Sequence, residues 1–404
     1  MKELRHRMNK SSLVIVLTMI TLVLLSAVSC ERRPPLHLHR GADIGFRPIV
    51  DIQLDVYWDY AIAYDSIYNW QSEWYYGWDA VDKQIFGDIS YVEPTTFNIR
   101  RYYTRNDPDA PHSVVYRTDG WRGKLYRAVY DFGFWDILVW NDLKEFSQVL
   151  SLIVDEETSL DRVTAYTHES SSQARYNSKY THAFYQPELL FSGYLEDEEI
   201  RSDYAGFEQM FDEETGEMYW YKKMDVALYP CTYIYLTQII LHHNKGRITS
   251  VDGSANLSGM ARTVTLNTGI AGTDAVSVNY DVRLKHNCDM LGESVDIVGG
   301  RLQTFGICNI NPNNISTRSA DSYAKIVESD PSHHYIDLEM QFNNGMDSTF
   351  VFDVTEQVQR KFRGGVITVE LDVDTIKMPR RSGGSAFDAV VLDYEDGGTH
   401  EFEM

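Results

Sequence analysis

The thiol of Cys30 is the side chain whose sequence surroundings point most clearly to a chemical modification. It ends an export signal in which a basic segment precedes an apolar run over residues 13–25 and the small residues Ala27 and Ser29. This arrangement is a lipobox, and it predicts removal of residues 1–29 as a signal peptide and acylation of Cys30. The alternative is an ordinary transmembrane helix, but the apolar run is shorter than the roughly 20 residues that cross a bilayer.

Lipid on Cys30 would hold the mature chain permanently on a membrane, outside the cytoplasm. Each buried CH₂ group contributes about 0.8 kcal/mol of membrane affinity, and several acyl chains act together. Residues 30–47 contain Pro, Gly, Arg and His without apolar periodicity, which is typical of a flexible tether. We therefore expect a lipid-anchored lipoprotein whose folded body begins near residue 48.

Clusters of titratable side chains could hold a metal or perform catalysis, but none has the required spacing. The carboxylates of residues 196–199 are consecutive, so on an extended chain they point to alternate sides. The histidine pairs at 37 and 39, 242 and 243, and 333 and 334 lack a further ligand at zinc spacing. Nucleotide-binding glycine loops and hydrolase motifs are absent from the sequence. We predict no catalytic residue, metal, cofactor or enzymatic activity.

An aromatic series near the N-terminus could form a ligand or partner surface. Its tryptophans are Trp58, Trp70, Trp74 and Trp78, interspersed with tyrosines. Aromatic rings beside carboxylates and amides stack on sugar rings or anchor a partner protein. The alternative, which we favour, is that these rings pack into the protein's own core or cover a loop.

Three cysteines remain once Cys30 carries lipid: Cys231, Cys288 and Cys308. Their odd number and long spacing exclude a disulfide framework. Cys288 and Cys308 could pair if they lie on neighbouring strands, and buried free thiols are an equally good interpretation. The sequence leaves this choice open.

The charge of the chain excludes one class of partner. Formal net charge is −22 at pH 7, and loss of four basic residues and one acidic residue within residues 1–29 makes the mature chain still more acidic. Nucleic-acid binding needs a basic face, so we predict no nucleic-acid partner and no adhesion to anionic lipid.

Short alternating strands dominate the chain and predict an all-β fold. Apolar and polar residues alternate over residues 50–58, and runs at sandwich-like spacing recur in both halves. The mature chain has more residues than one hydrophobic core usually serves. We therefore predict two consecutive β-sandwich domains, residues 48–217 and 218–404. We also expect a hairpin between residues 124–130 and 135–140, and a short helix over residues 207–210.

Several segments resemble an uncharacterised lipoprotein family of Bacteroidota, similar to the fimbrillin-type proteins and the anchor or accessory subunits of cell-surface fimbriae. The resemblance spans nearly the whole mature chain. It is carried by residues 30–34, 57–58, 137–142, 186–193, 257–261 and 352–358.

This resemblance implies two transthyretin-like sandwiches and a role in fimbrial assembly and adhesion. A lipid-anchored subunit on the outer membrane would accept a strand donated by a pilin. Polymerising fimbrillins are similar in having an arginine-directed cleavage site before the first strand, where Arg40 or Arg47 could stand. An anchor should remain uncut. The alternative function is a glycan-binding surface lipoprotein of a polysaccharide-uptake system, supported by the aromatic series alone.

Overall fold

The computed structural model of the 404-residue chain describes residues 48–57, 70–87, 89, 92–105, 115–147, 150–155, 160–170, 182–312, 326–328 and 332–380. Short 3₁₀ helices occur at Leu143–Glu145, Leu160–Arg162 and Val373–Thr375. Within these ranges the α-helices with defined bounds are α1 (Trp70–Glu73), α2 (Ala80–Phe86) and α3 (Thr355–Arg360), and residues 326–328 are also helical.

Strands account for most of the described chain, as the all-β prediction requires. In chain order they are β1 (Ile49–Val56), β2 (Thr96–Arg105), β3 (Val115–Arg122), β4 (Leu125–Val129), β5 (Gly133–Asn141), β6 (Leu152–Asp155), β7 (Thr164–Thr167), β8 (Ala183–Phe184), β9 (Phe191–Ile200), β10 (Glu208–Phe211), β11 (Met218–Pro230), β12 (Tyr233–His242), β13 (Ile248–Ala261), β14 (Thr263–Thr265), β15 (Ala275–Met290), β16 (Glu293–Thr304), β17 (Tyr335–Phe342), β18 (Asp347–Asp353) and β19 (Gly365–Asp372).

The first sheet follows the order β3-β2-β5-β9-β11-β1-β4 and folds over on itself. Strand β11 passes from one layer of this sheet to the other. From Tyr221 to Leu228 it pairs with β1, and at Tyr229 and Pro230 it pairs with β9. A β-sandwich therefore forms from one hydrogen-bonded path.

The second sheet follows the order β18-β17-β13-β15-β16-β12-β19, with β8 pairing on β15. Here β15 joins the two layers, because its first half pairs with β13 and its second half with β16. The core between the layers includes Tyr235, Leu257, Leu338 and Phe350, all fully or almost fully buried. A third sheet, β14-β7-β6, is small. The predicted all-β sandwich fold is confirmed.

Alternation in the sequence places β1 in the first sandwich. Val50, Ile52 and Leu54 are fully buried, and the intervening Gln53 and Asp55 are half-buried. Side chains of a strand point alternately to its two faces, so the apolar set reaches the core. Asp51 lies on the other face and is nevertheless buried, because Arg127 of β4 contacts it with two bonds of 2.6 and 2.7 Å.

Two local predictions are wrong. Residues 124–130 and 135–140 do not form a hairpin, because β4 pairs with β1 while β5 pairs with β2 and β9. The intervening loop carries the chain from one layer to the other. Residues 207–210 are not helical but enter β10, which is joined to β11 by a turn closed between Asp212 and Glu217 (2.9 Å).

The chain separates into two compact units. Among the described residues, one unit contains residues 209–220, and the other contains those between 48 and 208 and between 221 and 380. The predicted boundary at residue 217 does not separate the two sheets. Strand β11 follows this residue but belongs to the first sheet, and β8 precedes it but belongs to the second. Whether residues 48–217 and 218–404 fold independently stays a prediction.

The three described cysteines are free thiols, so Cys288 and Cys308 are not bonded. Burial raises the pKa of Cys231 to about 11, which keeps this thiol protonated. No helix within the described ranges is long and apolar enough to cross a membrane.

Candidate partner-docking edge

In the part of the chain that the structure describes, no strand pairs with the outer edge of β18, so its backbone groups are in a position to accept another strand. This strand is the end of the second sheet and pairs with β17. The N–H of Val354 donates to the carbonyl of His334 (2.9 Å), and backbone direction alternates along an antiparallel strand. The N–H and C=O groups of Thr349 and Val351 therefore face away from the sheet. Within the described ranges no backbone hydrogen bond reaches them.

Side chains of β18 pack into the protein on one face of the strand, and its outer edge is left accessible among the described residues. Phe350 and Phe352 are buried and stack with ring centroids 6.2 Å apart. Thr349 and Val351 are half-buried on the opposite face, and the acidic residues Asp347 and Asp353 stand only at the two ends. An edge strand of this kind is a template for pairing with another chain.

The opposite edge of the second sheet is closed by side chains of α3 and the residue after it. The Thr368 N–H of β19 donates to Gln357 Oε1 (3.0 Å), and Gln357 Nε2 donates back to the Thr368 carbonyl (2.8 Å). Lys361 Nζ donates to the Val366 carbonyl at 2.5 Å. The Gln357 amide and the Lys361 ammonium thus take the place of a neighbouring strand at Thr368 and Val366, which protects this part of β19 from edge pairing.

The edges of the first sheet are less suited to docking. On β4, Arg101 Nη1 donates to the carbonyl of Val129 (3.3 Å). On β3, Arg117 and Arg122 are exposed, and charged side chains on an edge discourage pairing with another chain. Among the described sheet ends, β18 therefore combines an unoccupied ladder with the fewest obstacles.

The predicted aromatic series lies mainly on the second sandwich. Trp74 is 8% exposed and packs with Tyr76, Phe86 and residues of β12 and β16, while Trp70 and Trp78 pack at the border of this cluster. The Trp74 and Trp78 rings are 6.4 Å apart. Trp58 lies outside the described residues. The packing favours the core interpretation for Trp74, and the ligand-surface hypothesis stays untested.

Buried Asp82 fastens this aromatic segment to β15. Its carboxylate accepts from Tyr76 Oη (3.0 Å) and Arg283 Nη1 (2.8 Å), and it forms a close ion pair with Lys285. It also accepts the backbone N–H of Asp79 (2.8 Å), while Asp79 caps α2 in return. The segment from Trp70 to Gly87 is consequently held on the second sandwich by packing and by charge.

Two neighbouring groups respond electrostatically to this cluster. Burial, followed by the Asp82 charge, raises the pKa of Tyr76 well above its ordinary value, so its hydroxyl remains a donor. The Asp82 backbone N–H lowers the pKa of the Asp79 carboxyl; desolvation opposes this shift, and the contacts with Lys285 and Arg283 lower the pKa further. The raised pKa of Tyr76 keeps its hydroxyl protonated, and the lowered pKa of Asp79 keeps its carboxylate ionised, as their hydrogen bonds require.

The remaining predicted site residues lie outside the described chain: Cys30, Arg40 and Arg47. Their lipidation and cleavage stay predictions. No cluster of three or more His, Cys, Asp or Glu side chains able to hold a metal is found in the part of the chain that the structure covers.

Sequence reasoning missed Asp82 and Gln357. Asp82 does carry a local signal, because Asp79 and Asp82 have the spacing of a helix-capping box. Gln357 has none, since its partner Thr368 belongs to a strand whose edge position depends on pairing with β12.

Comparisons with known proteins give structural likenesses only. No family model matches the chain, and no curated protein matches it significantly. A proposed adhesin from Bacteroides ovatus has a TM-score of 0.47 and 13% identity, covering 88% of this chain and 95% of that one. The fimbrial anchor protein Mfa2 from Porphyromonas gingivalis has a TM-score of 0.41 and 12% identity, covering 80% and 90%. A proposed polysaccharide-binding protein from Bacteroides thetaiotaomicron has a TM-score of 0.39 and 8% identity, covering 81% and 92%. The chain is thus similar to these solved structures at low identity.

Proposed function

We propose that the chain is a lipid-anchored subunit of a cell-surface fimbrium, an anchor or accessory protein that binds a pilin by strand complementation. The open edge of β18 carries this proposal. A strand donated by a neighbouring subunit would pair with Thr349 and Val351, extending the second sheet by backbone hydrogen bonds. The closed edge of β19 directs such a partner to one side of the sheet.

The sequence supplies the membrane side of the proposal. A lipobox at Cys30 and a tether over residues 30–47 precede β1, which lies between β11 and β4. Lipid would hold the N-terminal end on the outer membrane, while β18 lies in the second sandwich. One molecule would thereby connect a membrane to a polymer. Cleavage at Arg40 or Arg47 would separate the body from its lipid, so we expect an anchor to remain uncut.

Glycan binding has less support from the described residues. It depended on aromatic rings that can stack on sugars, and Trp74 and Tyr76 are buried in the cluster beneath α2. We therefore do not propose it as a second function.

Replacing Cys30→Ala should remove the lipid and release the body from the membrane. Without the thiol no diacylglycerol can be attached, and one unmodified tether has no comparable membrane affinity. Incorporation of radiolabelled palmitate and the distribution between membrane and soluble fractions measure this directly. Cys288→Ala is the matched control and should leave both unchanged; labelled, membrane-bound Cys30→Ala protein would contradict the lipoprotein assignment.

Crosslinking of the full-length protein on intact cells, followed by mass spectrometry, tests the assembly role. We expect fimbrial subunits among the crosslinked proteins, joined through peptides that contain β18. Recovery of a TonB-type transporter and glycan-binding neighbours, with no pilin, would contradict the proposal and favour the uptake system.

A further inference from the structure

In the first sandwich the first and last described strands pair in parallel, and in the second sandwich β12 pairs in parallel with β19, the last described strand. In the first sheet, β1 pairs with β11 from Ile49↔Tyr221 to Val56↔Leu228. In the second, β12 pairs with β19 from Tyr235↔Gly365 to His242↔Asp372. Apart from the two-residue contact between β8 and β15, the other registers found in these two sheets are antiparallel. The two long parallel pairs thus join β1 to the strand through which the chain leaves the first sandwich, and β12 to the last described strand of the second.

This arrangement decides how tension along the chain acts on the hydrogen bonds. The chain enters the first sandwich at the Ile49 end of β1 and leaves it at the Pro230 end of β11. Because the two strands are parallel, these points lie at opposite ends of the pair. Tension pulls the strands past each other along their axis, so the whole ladder bears it together. Pulling both strands from the same end would instead break the bonds one after another.

The second sandwich repeats this geometry. After Pro230 the chain enters β12 at Tyr233, and it leaves β19 at Asp372, again at opposite ends of a parallel pair. Side chains reinforce this pair, since Gln238 Nε2 of β12 donates to Thr368 Oγ1 of β19 (3.0 Å). The closed edge described for β19 therefore also fixes the exit strand in place.

We propose that the two parallel pairs are mechanical clamps, and that a further function of the chain is to resist force between its N-terminal and C-terminal ends. The inference rests on the proposed function for its source of force, which is tension between the lipid on Cys30 and a partner at β18. The first clamp lies on that path, whereas the second bears tension only when the chain is also pulled from beyond residue 372, because β19 follows β18 in the sequence. The clamps themselves are a property of the isolated chain and are measured without any partner.

Single-molecule force spectroscopy on the mature chain, held at residues 31 and 404 between reference modules, tests the proposal. Two unfolding events are expected. Opening of the first clamp, followed by loss of the contacts that residues 70–87, β7 and β8 make with later strands, releases residues 49–230, roughly 60 nm of extended chain. Opening of the second releases residues 233–372, roughly 50 nm.

The matched control changes the direction of pulling and leaves the fold intact. A handle inserted in the exposed turn between β10 and β11, at Thr215, loads β11 from the same end as β1. We expect the first clamp to open at about half the force, or less, because its bonds then break in sequence. Equal forces in the two geometries would overturn the proposal, whatever the crosslinking on cells shows.

A pair of variants identifies the ladder as the source of resistance. Tyr57 N–H donates to the Leu228 carbonyl, so by alternation the Gln53 N–H also faces β11. Gln53→Pro removes that donor, whereas Gln53→Ala removes the same side chain and keeps it. Of these two variants, only Gln53→Pro should lower the force at which the first clamp opens. Ile99→Ala, which truncates a buried side chain of β2, should lower thermal stability with little change in that force; a parallel fall of force and stability would contradict the clamp.

Discussion

Asp82→Ala is expected to lower the free energy of unfolding by about 3 to 5 kcal/mol, the range for removing one partner of a buried ion pair. The Asp82 side chain is fully buried, whereas Arg283 and Lys285 are 31% and 14% exposed. Alanine would leave both cations without their main counter-charge and Tyr76 Oη without its acceptor. Chemical denaturation, followed by tryptophan fluorescence of the Trp74 cluster, measures the loss.

Asp79→Ala provides the control for that prediction. Asp79 also contacts Arg283 (3.2 Å) and caps α2, but it is largely exposed. Water and the remaining Asp82 charge would compensate for most of its removal, so its effect should be much smaller. If both variants lost equal stability, the buried position of Asp82 would not be the source of its contribution.

Gly364→Ala is expected to cost about 3 kcal/mol or more, because two effects add at this position. Gly364 has φ = +92°, and a Cβ built on it would lie 2.1 Å from the carbonyl oxygen of Ile234. Neither backbone can shift readily, since Gly364 begins the approach to β19 and Ile234 lies in β12. The change would therefore also disturb the second clamp. Thermal unfolding of the purified variant measures the cost.

Gly345→Ala separates the two effects. Gly345 has a similar positive φ of +73° in the turn before β18, but a Cβ there meets nothing within 4 Å. It should cost only about 1 kcal/mol, from the backbone conformation alone. Equal losses for the two variants would show that contact with Ile234 has no effect.

The sequence predicts the strands of this protein better than their partners. Alternation over residues 50–58 correctly indicates β1, because burial of every second side chain follows from local geometry. The hairpin expected between β4 and β5 is wrong because adjacency in the chain does not decide pairing when the chain crosses between layers. The parallel pair of β1 and β11 joins residues about 170 positions apart, and no local pattern specifies it.

The sequence predicts that β18 is a strand but not that it lies at the edge of a sheet. Residues 349–354 have the pattern of a strand, and β18 covers all but the last of them. Its position at the end of a sheet depends on the order of seven strands, and the protection of β19 depends on the Gln357 amide and the Lys361 ammonium. The sequence identifies the aromatic series. It does not predict that the series packs against β12 and β16, because this contact joins distant parts of the chain.

Site-specific photo-crosslinking at β18 on intact cells tests the assembly role most directly. A photoreactive residue replaces Thr349 on the open edge or, as the control, Thr368 on the closed edge of β19. The account predicts a covalent product with a fimbrial subunit from position 349 and none from position 368. Equal products from both positions, or none from position 349 while the fimbriae remain attached to the cells, would contradict docking at β18.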